Sequence, residues 1–184
     1  MKKIIGISGN ARSGKDTVGT ILKNIFEQKG VPVKIVSFAQ KLREEVDEFC
    51  IDKLGISAFT TDDIEKKIIR PLLVCWGTEI RRTLDESHWI NALEHDMADD
   101  PEGTLYIVTD VRFEDELNWI KGLGGHTIYL ERNAIAPANE YELINNKILK
   151  TLVDFVWEMP TTRDMTILRE YTEKICLHSF KNIV

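Results

Sequence analysis

Residues 3–26 read KIIGISGNARSGKDTVGTILKNIF, and this stretch decides the fold. Its first part, Lys3 to Ser8, has the short apolar, β-branched run of a buried strand. From Thr17 onward, Val18, Ile21, Leu22, Ile25 and Phe26 fall on one face of a helix. Between them stands Gly9-Asn10-Ala11-Arg12-Ser13-Gly14-Lys15, a G-x-x-x-x-G-K spacing in the strand-to-helix setting that a phosphate-binding loop requires. Glycines let such a loop bend until successive backbone N–H groups point inward at phosphate oxygens, and the helix that follows turns its positive end toward them. Lys15 adds a mobile cation for β- and γ-phosphates. A bare glycine turn with an exposed lysine is the structural alternative, and the context weighs against it.

The signature ordinarily continues with Ser or Thr, whose hydroxyl ligates magnesium; here Asp16 takes that place and Thr17 follows. Two readings of Asp16 stand side by side. It holds magnesium directly or through water while Thr17 reaches the α-phosphate, or it only complements the helix N-terminus.

Outward from the loop, Gly30 and Pro32 end the first helix, Val33 to Phe38 reads as a second strand, and Leu42, Val46 and Phe49 recur at helical spacing. Residues 60–97 read as helix throughout, with Asp62 or Asp63 as a cap, Pro71 as a kink or restart and Ser87 capping the stretch that holds Trp89, Ile90 and Leu93. Thr104 to Thr109 is a third strand, Glu114 to Gly122 a helix, His126 to Leu130 a fourth strand, Asp154 to Glu158 a fifth, and Arg163 to Ser179 a closing helix. Strands alternating with helices, each strand too apolar to face water, predict an α/β fold with a parallel sheet covered on both faces. Ligands in such folds sit at the carboxyl ends of the strands.

Asp110 directly follows the third strand, where a carboxylate can hold magnesium or its water shell; a turn or helix cap is the plainer use. Arg112 lies two residues on, able to face the same cleft as Lys15 or to pair with Glu114 or Glu116. Phosphoryl transfer needs charge neutralisation more than covalent chemistry, which makes Arg70, Arg81, Arg82, Arg112 and Arg132 candidates, although a solvated helix face explains any single one. Arg132 opens the irregular stretch Asn133 to Glu140, read as a flexible cover that excludes water from the transfer. Trp76 and Trp89 are candidates for stacking on a nucleobase or for core packing.

The composition sets limits. The 184 residues, 43% hydrophobic and 29% charged, suit one domain with a sizeable core. A net charge of -6 argues against broad attraction to nucleic acid or an anionic membrane. Cys50, Cys75 and Cys176 lack C-x-x-C spacing, and His88, His95, His126 and His178 form no metal-ligand pattern, so neither a disulfide framework nor a zinc site is predicted and a reducing cytoplasm is the expected home. No apolar run reaches the length of a membrane span, and no repeat or linker divides the chain.

Four strings in order, GNARSGKDT, SFAQKLREEV, WGTEIRRTLDESHWINAL and VTDVRFEDEL, resemble bacteriophage-type deoxynucleoside monophosphate kinases over most of residues 1–132. The resemblance implies a three-layer P-loop kinase fold with five parallel strands, a helical acceptor-binding lobe at 40–98 and a lid at 132–147 within one domain. It makes Gly9, Asn10, Ala11, Arg12, Ser13, Gly14, Lys15, Asp16 and Thr17 the ATP loop, with Asp16 and Asp110 near Mg2+. Phe38, Ala39, Lys41 and Leu42 fall at the mouth of the acceptor site; Arg70, Trp76, Arg81 or Arg82, Trp89, Asp110 and Arg112 line it, and Glu116 matches a recurring acid. Lys15, Arg112 and Arg132 are the expected catalytic cations. After Arg132 relatives show a His-Ala-Ser-Glu string where this chain has Pro137-Ala138-Asn139-Glu140, matching only the glutamate.

The expected reaction moves the γ-phosphoryl group of ATP to a deoxynucleoside monophosphate, whose ionised phosphate oxygen attacks in line without a general base. The expected form is a monomer or homodimer in the cytoplasm, the host's if the chain is viral. The Asp-Val-Arg-Phe string is also similar to phosphomevalonate kinases, and the phosphate loop alone to dephospho-coenzyme A kinases. A P-loop regulator without an acceptor is the alternative from another class.

Overall fold

The computed structural model describes residues 3–132, 135, 136 and 140–180. The chain divides into two compact units, Met1–Val36 with Asp100–Val184, and Ser37–Asp99.

The first unit is built on a parallel sheet of β1 (Lys3–Gly9), β2 (Val33–Val36), β3 (Leu105–Val108), β4 (His126–Glu131) and β5 (Phe155–Glu158), in the order β2-β3-β1-β4-β5. The register pairs Ile5 of β1 with Ile107 of β3 on one side and His126 of β4 on the other. The three inner strands are buried on both faces, as a covered parallel sheet demands. The expectation of apolar strands throughout fails at the margins: Lys34 and Ile35 of β2 and Val156 and Glu158 of β5 are exposed, an edge strand being flanked on one side only.

Helices α1 (Lys15–Glu27) and α8 (Met165–Ser179) join the main core, where Leu22, Phe26, Leu168 and Phe180 pack with Ile5, Ile7, Ile107, Ile128 and Trp157. Each such Leu or Ile, sealed from water, contributes about 2 kcal/mol of transfer free energy. Asp164 caps α8 through the Thr166 and Ile167 N–H groups, so the helix starts two residues later than the sequence suggests. Helix α6 (Glu114–Gly122) lies on β1, its Ile120 filling the space that a side chain at Gly6 would need. Helix α7 (Glu140–Leu152) precedes β5.

The second unit is all helical: α2 (Phe38–Leu54), α3 (Asp63–Val74), a π turn (Cys75–Arg81), α4 (Arg82–Leu84) and α5 (His88–Ala98). Four local expectations are corrected. The second strand stops at Val36, because the Ser37 side chain accepts the Gln40 N–H at 3.0 Å and starts α2 at Phe38. Phe49 is 54% exposed, while Val46 and Cys50 continue the buried face of α2. Residues 60–97 are not helix throughout: α3 begins only at Asp63, and Asp85–Ser87 separate α4 from α5. The Ser87 side chain makes no cap; instead Asp85 accepts the Ser87 N–H at 3.0 Å. Asp62 rather than Asp63 caps α3, through Ile64 and Glu65. Pro71 sits inside α3, and the helix runs past it into the π turn. No helix among the described residues is long and apolar enough to cross a membrane.

Candidate active site at the phosphate loop

The loop between β1 and α1 is bent by three residues of positive φ: Gly9 at 137°, Arg12 at 66° and Gly14 at 97°. At Gly9 a Cβ would stand 2.6 Å from the Leu130 carbonyl oxygen of β4, so no other residue fits there. Gly14 occupies the N-cap of α1 and offers no side chain to the first helical N–H groups, which leaves the helix's positive end to an external anion. Ser13 is 2% exposed, and its hydroxyl has no hydrogen-bond partner among the described residues, a second donor left for a ligand. The Lys15 ammonium bends back over the loop and donates to the Gly9 and Asn10 carbonyls, both at 2.9 Å.

Burial, helped by the Arg112 charge, pushes the Lys15 pKa down, against the opposing pull of Glu142, Asp16 and Asp110. These are the charges that act on the lysine through space. Asp16 is exposed in the first turn of α1. Asp110 follows β3, the strand beside β1, and is 9% exposed. Close packing of Gly19 on Thr109, where a Cβ would fall 2.6 Å from the threonine methyl, holds α1 down on that strand end. The Arg112 side chain is exposed. Beneath it Glu116 is 2% exposed and accepts the Arg112 and Phe113 N–H groups at 2.8 and 3.2 Å. The recurring acid thus supports the turn that presents Arg112.

Arg132 leaves β4 and turns its Nη2 to the carbonyls of Pro160, at 3.3 Å, and Thr162, just past β5. Its Nη1 is the nearest neighbour, at 3.8 Å, of a Cβ built on Gly14, so the guanidinium stands beside the start of α1. Of the expected cover, Asn133, Ala134 and Pro137 to Asn139 lie outside the described residues. Sequence reasoning missed Glu142 and Asn146 of α7. Glu142 Oε1 accepts the Ala11 N–H at 2.8 Å, and the Asn146 amide donates to Asn10 Oδ1 at 2.7 Å. Asn10 in turn donates to the Ile135 carbonyl at 2.7 Å. Thr17 is half-buried in the first turn of α1.

In the helical unit Phe38 is buried and Ala39 half-buried. Lys41 pairs with Glu44 and, at 2.5 Å, with Asp96; burial works to lower its pKa, but these carboxylates outweigh it and push it up. Leu42 packs under Gly77 and beside Val46 and Cys50. Arg70 is exposed, on a shallow groove with Lys67, Pro71, Val74, Cys75 and Glu79. Trp89 is 4% exposed with its N–H on the Gly77 carbonyl at 3.0 Å, which makes it a packing residue of this unit. Trp76 donates to Glu45 at 2.8 Å and carries the Arg81 guanidinium 5.2 Å above its ring. Arg81 is also paired to Glu45, and Arg82 follows, half-buried, at the start of α4.

No group of three or more His, Cys, Asp or Glu among the described residues could hold a metal ion by itself. Magnesium carried with a nucleotide keeps several waters and takes one or two carboxylates plus phosphate oxygens. Glu142, Asp16 and Asp110 are the carboxylates whose charge acts on Lys15, and Glu142 accepts the Ala11 N–H, which makes Asp16 and Asp110 the candidates to hold such an ion.

A glycine loop at the end of the central strand, a helix N-terminus, and a carboxylate at the end of the neighbouring strand define a P-loop kinase fold. Solved structures agree: shikimate kinase from Aquifex aeolicus vf5 superposes with a TM-score of 0.51 at 18% identity over 97% of each chain. TT1252 from Thermus thermophilus gives 0.50 at 16% identity, over 97% of this chain and 98% of that one. The family model of phosphomevalonate kinase matches residues 7–125, and the chain belongs to the phosphomevalonate kinase family. No curated protein matches the chain.

Proposed function

We propose that this chain transfers the γ-phosphoryl group of ATP to the phosphate of a small phosphorylated acceptor, with phosphomevalonate the first acceptor to consider. The observation that carries the reaction is the bent glycine loop before an α1 N-terminus that no side chain caps, with the buried Ser13 hydroxyl unpartnered among the described residues and Lys15 folded over the loop. The family match favours phosphomevalonate as acceptor.

Loop N–H groups and Lys15 bind the triphosphate, while Arg112 meets charge on the transferring group. Asp16 and Asp110 would hold magnesium brought with ATP, and the ion would supply neutralisation of β- and γ-phosphate charge. The acceptor's phosphate is already ionised at neutral pH, so the chain supplies placement and cations and no general base. The cations Arg70, Arg81 and Arg82 of the helical unit serve the acceptor.

A second acceptor class, deoxynucleoside monophosphates, is favoured by the WGTEIRRTLDESHWINAL and VTDVRFEDEL strings. Weighing against it, Trp89 is buried and one face of Trp76 lies under Arg81, so neither tryptophan offers a fully open platform for a base. A coupled assay of ADP release, run with phosphomevalonate, deoxynucleoside and ribonucleoside monophosphates and dephospho-coenzyme A, separates these readings. Stimulation by phosphomevalonate supports the first and by a deoxynucleotide the second. ADP release that no acceptor stimulates refutes both.

A further inference from the structure

One carboxylate organises the middle of the helical unit. Glu45 on α2 accepts the Trp76 indole N–H, the Arg81 Nε and Nη2 groups and, at 2.9 Å, the His88 Nε2. Burial would raise the Glu45 pKa, but hydrogen bonds from His88, Trp76 and Arg81, with the Arg81 charge, hold it below the usual carboxylate range. Arg81 lies over the Trp76 ring, so it is fixed by an ion pair along one edge and a π face beneath.

The backbone that allows this is the π turn, Cys75–Arg81. In an α-helix, residues five apart point about 140° away from each other, and Trp76 and Arg81 could not share one carboxylate. A π turn closes i→i+5 and brings them to one side. Such turns are rare and recur at functional sites. Here Gly77 within the turn allows close approach, a Cβ there falling 2.8 Å from Leu42 Cδ2, and its carbonyl receives the Trp89 N–H. Lys41, by contrast, is held between two carboxylates.

We propose that Glu45 is a positioning residue for the acceptor: it locks Arg81 against Trp76 so that the guanidinium's Nη1 edge, which takes no part in the Glu45 pair, meets the acceptor's phosphate. The proposal rests on the kinase reading and specifies which cation of the helical unit recognises the acceptor. Holding an arginine in place before the ligand arrives removes the side-chain ordering cost that a free arginine would meet on binding.

The test is a mutant cycle on the full chain, read as acceptor affinity by calorimetry without ATP and as KM and kcat in turnover, with phosphomevalonate and deoxynucleoside monophosphates as probes. E45A and R81A should each raise the acceptor Kd and KM about tenfold, since each loses a charge-assisted contact, while the ATP KM stays unchanged and reports an intact phosphate loop. E45Q, which keeps the shape and one acceptor oxygen, should fall between E45A and wild type. Because Glu45 acts through Arg81, E45A/R81A should match R81A within about twofold. Additive losses, an unchanged acceptor KM in E45A, or wild-type protein that binds neither probe overturns the proposal. An unchanged acceptor KM in a variant that still turns over leaves the kinase reading intact.

Discussion

Phosphoryl transfer as proposed depends on Lys15 more than on any other side chain. Among the described residues its ammonium is hydrogen-bonded to the Gly9 and Asn10 carbonyls, which a bound phosphate would replace, so its removal should spare the fold and damage the chemistry. K15A is expected to lower kcat by about 10²- to 10³-fold, the range for losing one preorganised donor to a developing charge, with the urea midpoint little changed. Near-normal turnover would refute its role.

Asp154, just before β5, ties the start of that strand to Thr127 of β4. Its Oδ2 accepts the Thr127 N–H and hydroxyl, both at 2.8 Å, and Lys121 stands 3.3 Å from Oδ1. Burial pushes its pKa up, but the Thr127 bonds and Lys121 win and hold it below the ordinary value. A depressed folded pKa means that the ionised carboxylate stabilises the fold above the unfolded pKa of about 4 and ceases to do so as pH falls through the folded value. D154N should therefore cost about 1 kcal/mol at pH 7 by urea unfolding, and the gap to wild type should shrink below about pH 4. A gap that is constant with pH would contradict the assignment.

At the scale of elements, the π turn and α7 carry the features that periodicity does not reveal. Gly77 packs on Leu42, and the methyl of G77A would meet the end of a flexible side chain; the cost should be about 1–2 kcal/mol in unfolding free energy, and a variant as stable as wild type would show that the close approach is unneeded. Helix α7 is tied to the phosphate loop by Glu142 on the Ala11 N–H and Asn146 on Asn10. An anion seated on that loop repels incoming phosphate, so E142Q, which keeps an acceptor oxygen and drops the charge, should tighten ATP binding several-fold by calorimetry. Weaker binding in E142Q would show that the carboxylate helps the nucleotide.

Over the whole molecule, the legible parts were local ones. Nine consecutive residues, Gly9 to Thr17, announce the phosphate loop, because strand, glycine bend and helix start are all written in neighbouring positions. The five parallel strands are legible for the same reason, although β2 ends two residues before its apolar run does, where Ser37 turns the chain into a helix. What stayed hidden depends on contacts across the chain. Glu142 reaches Ala11 over 131 positions, and nothing in its own surroundings marks it. Glu45 reads as one more acid on a solvated helix until the π turn gathers Trp76, Arg81 and His88 around it. The chain's net charge of -6 likewise hides a locally cationic loop, because the sum has no place in space.

The most direct measurement follows the phosphorus itself: ATP labelled in the γ-phosphate is incubated with the protein, magnesium and each candidate acceptor, and the products are separated. Phosphoryl transfer puts label in the acceptor's diphosphate, first with phosphomevalonate, and K15A loses it. Label that appears only as inorganic phosphate, whichever acceptor is present, would contradict that transfer.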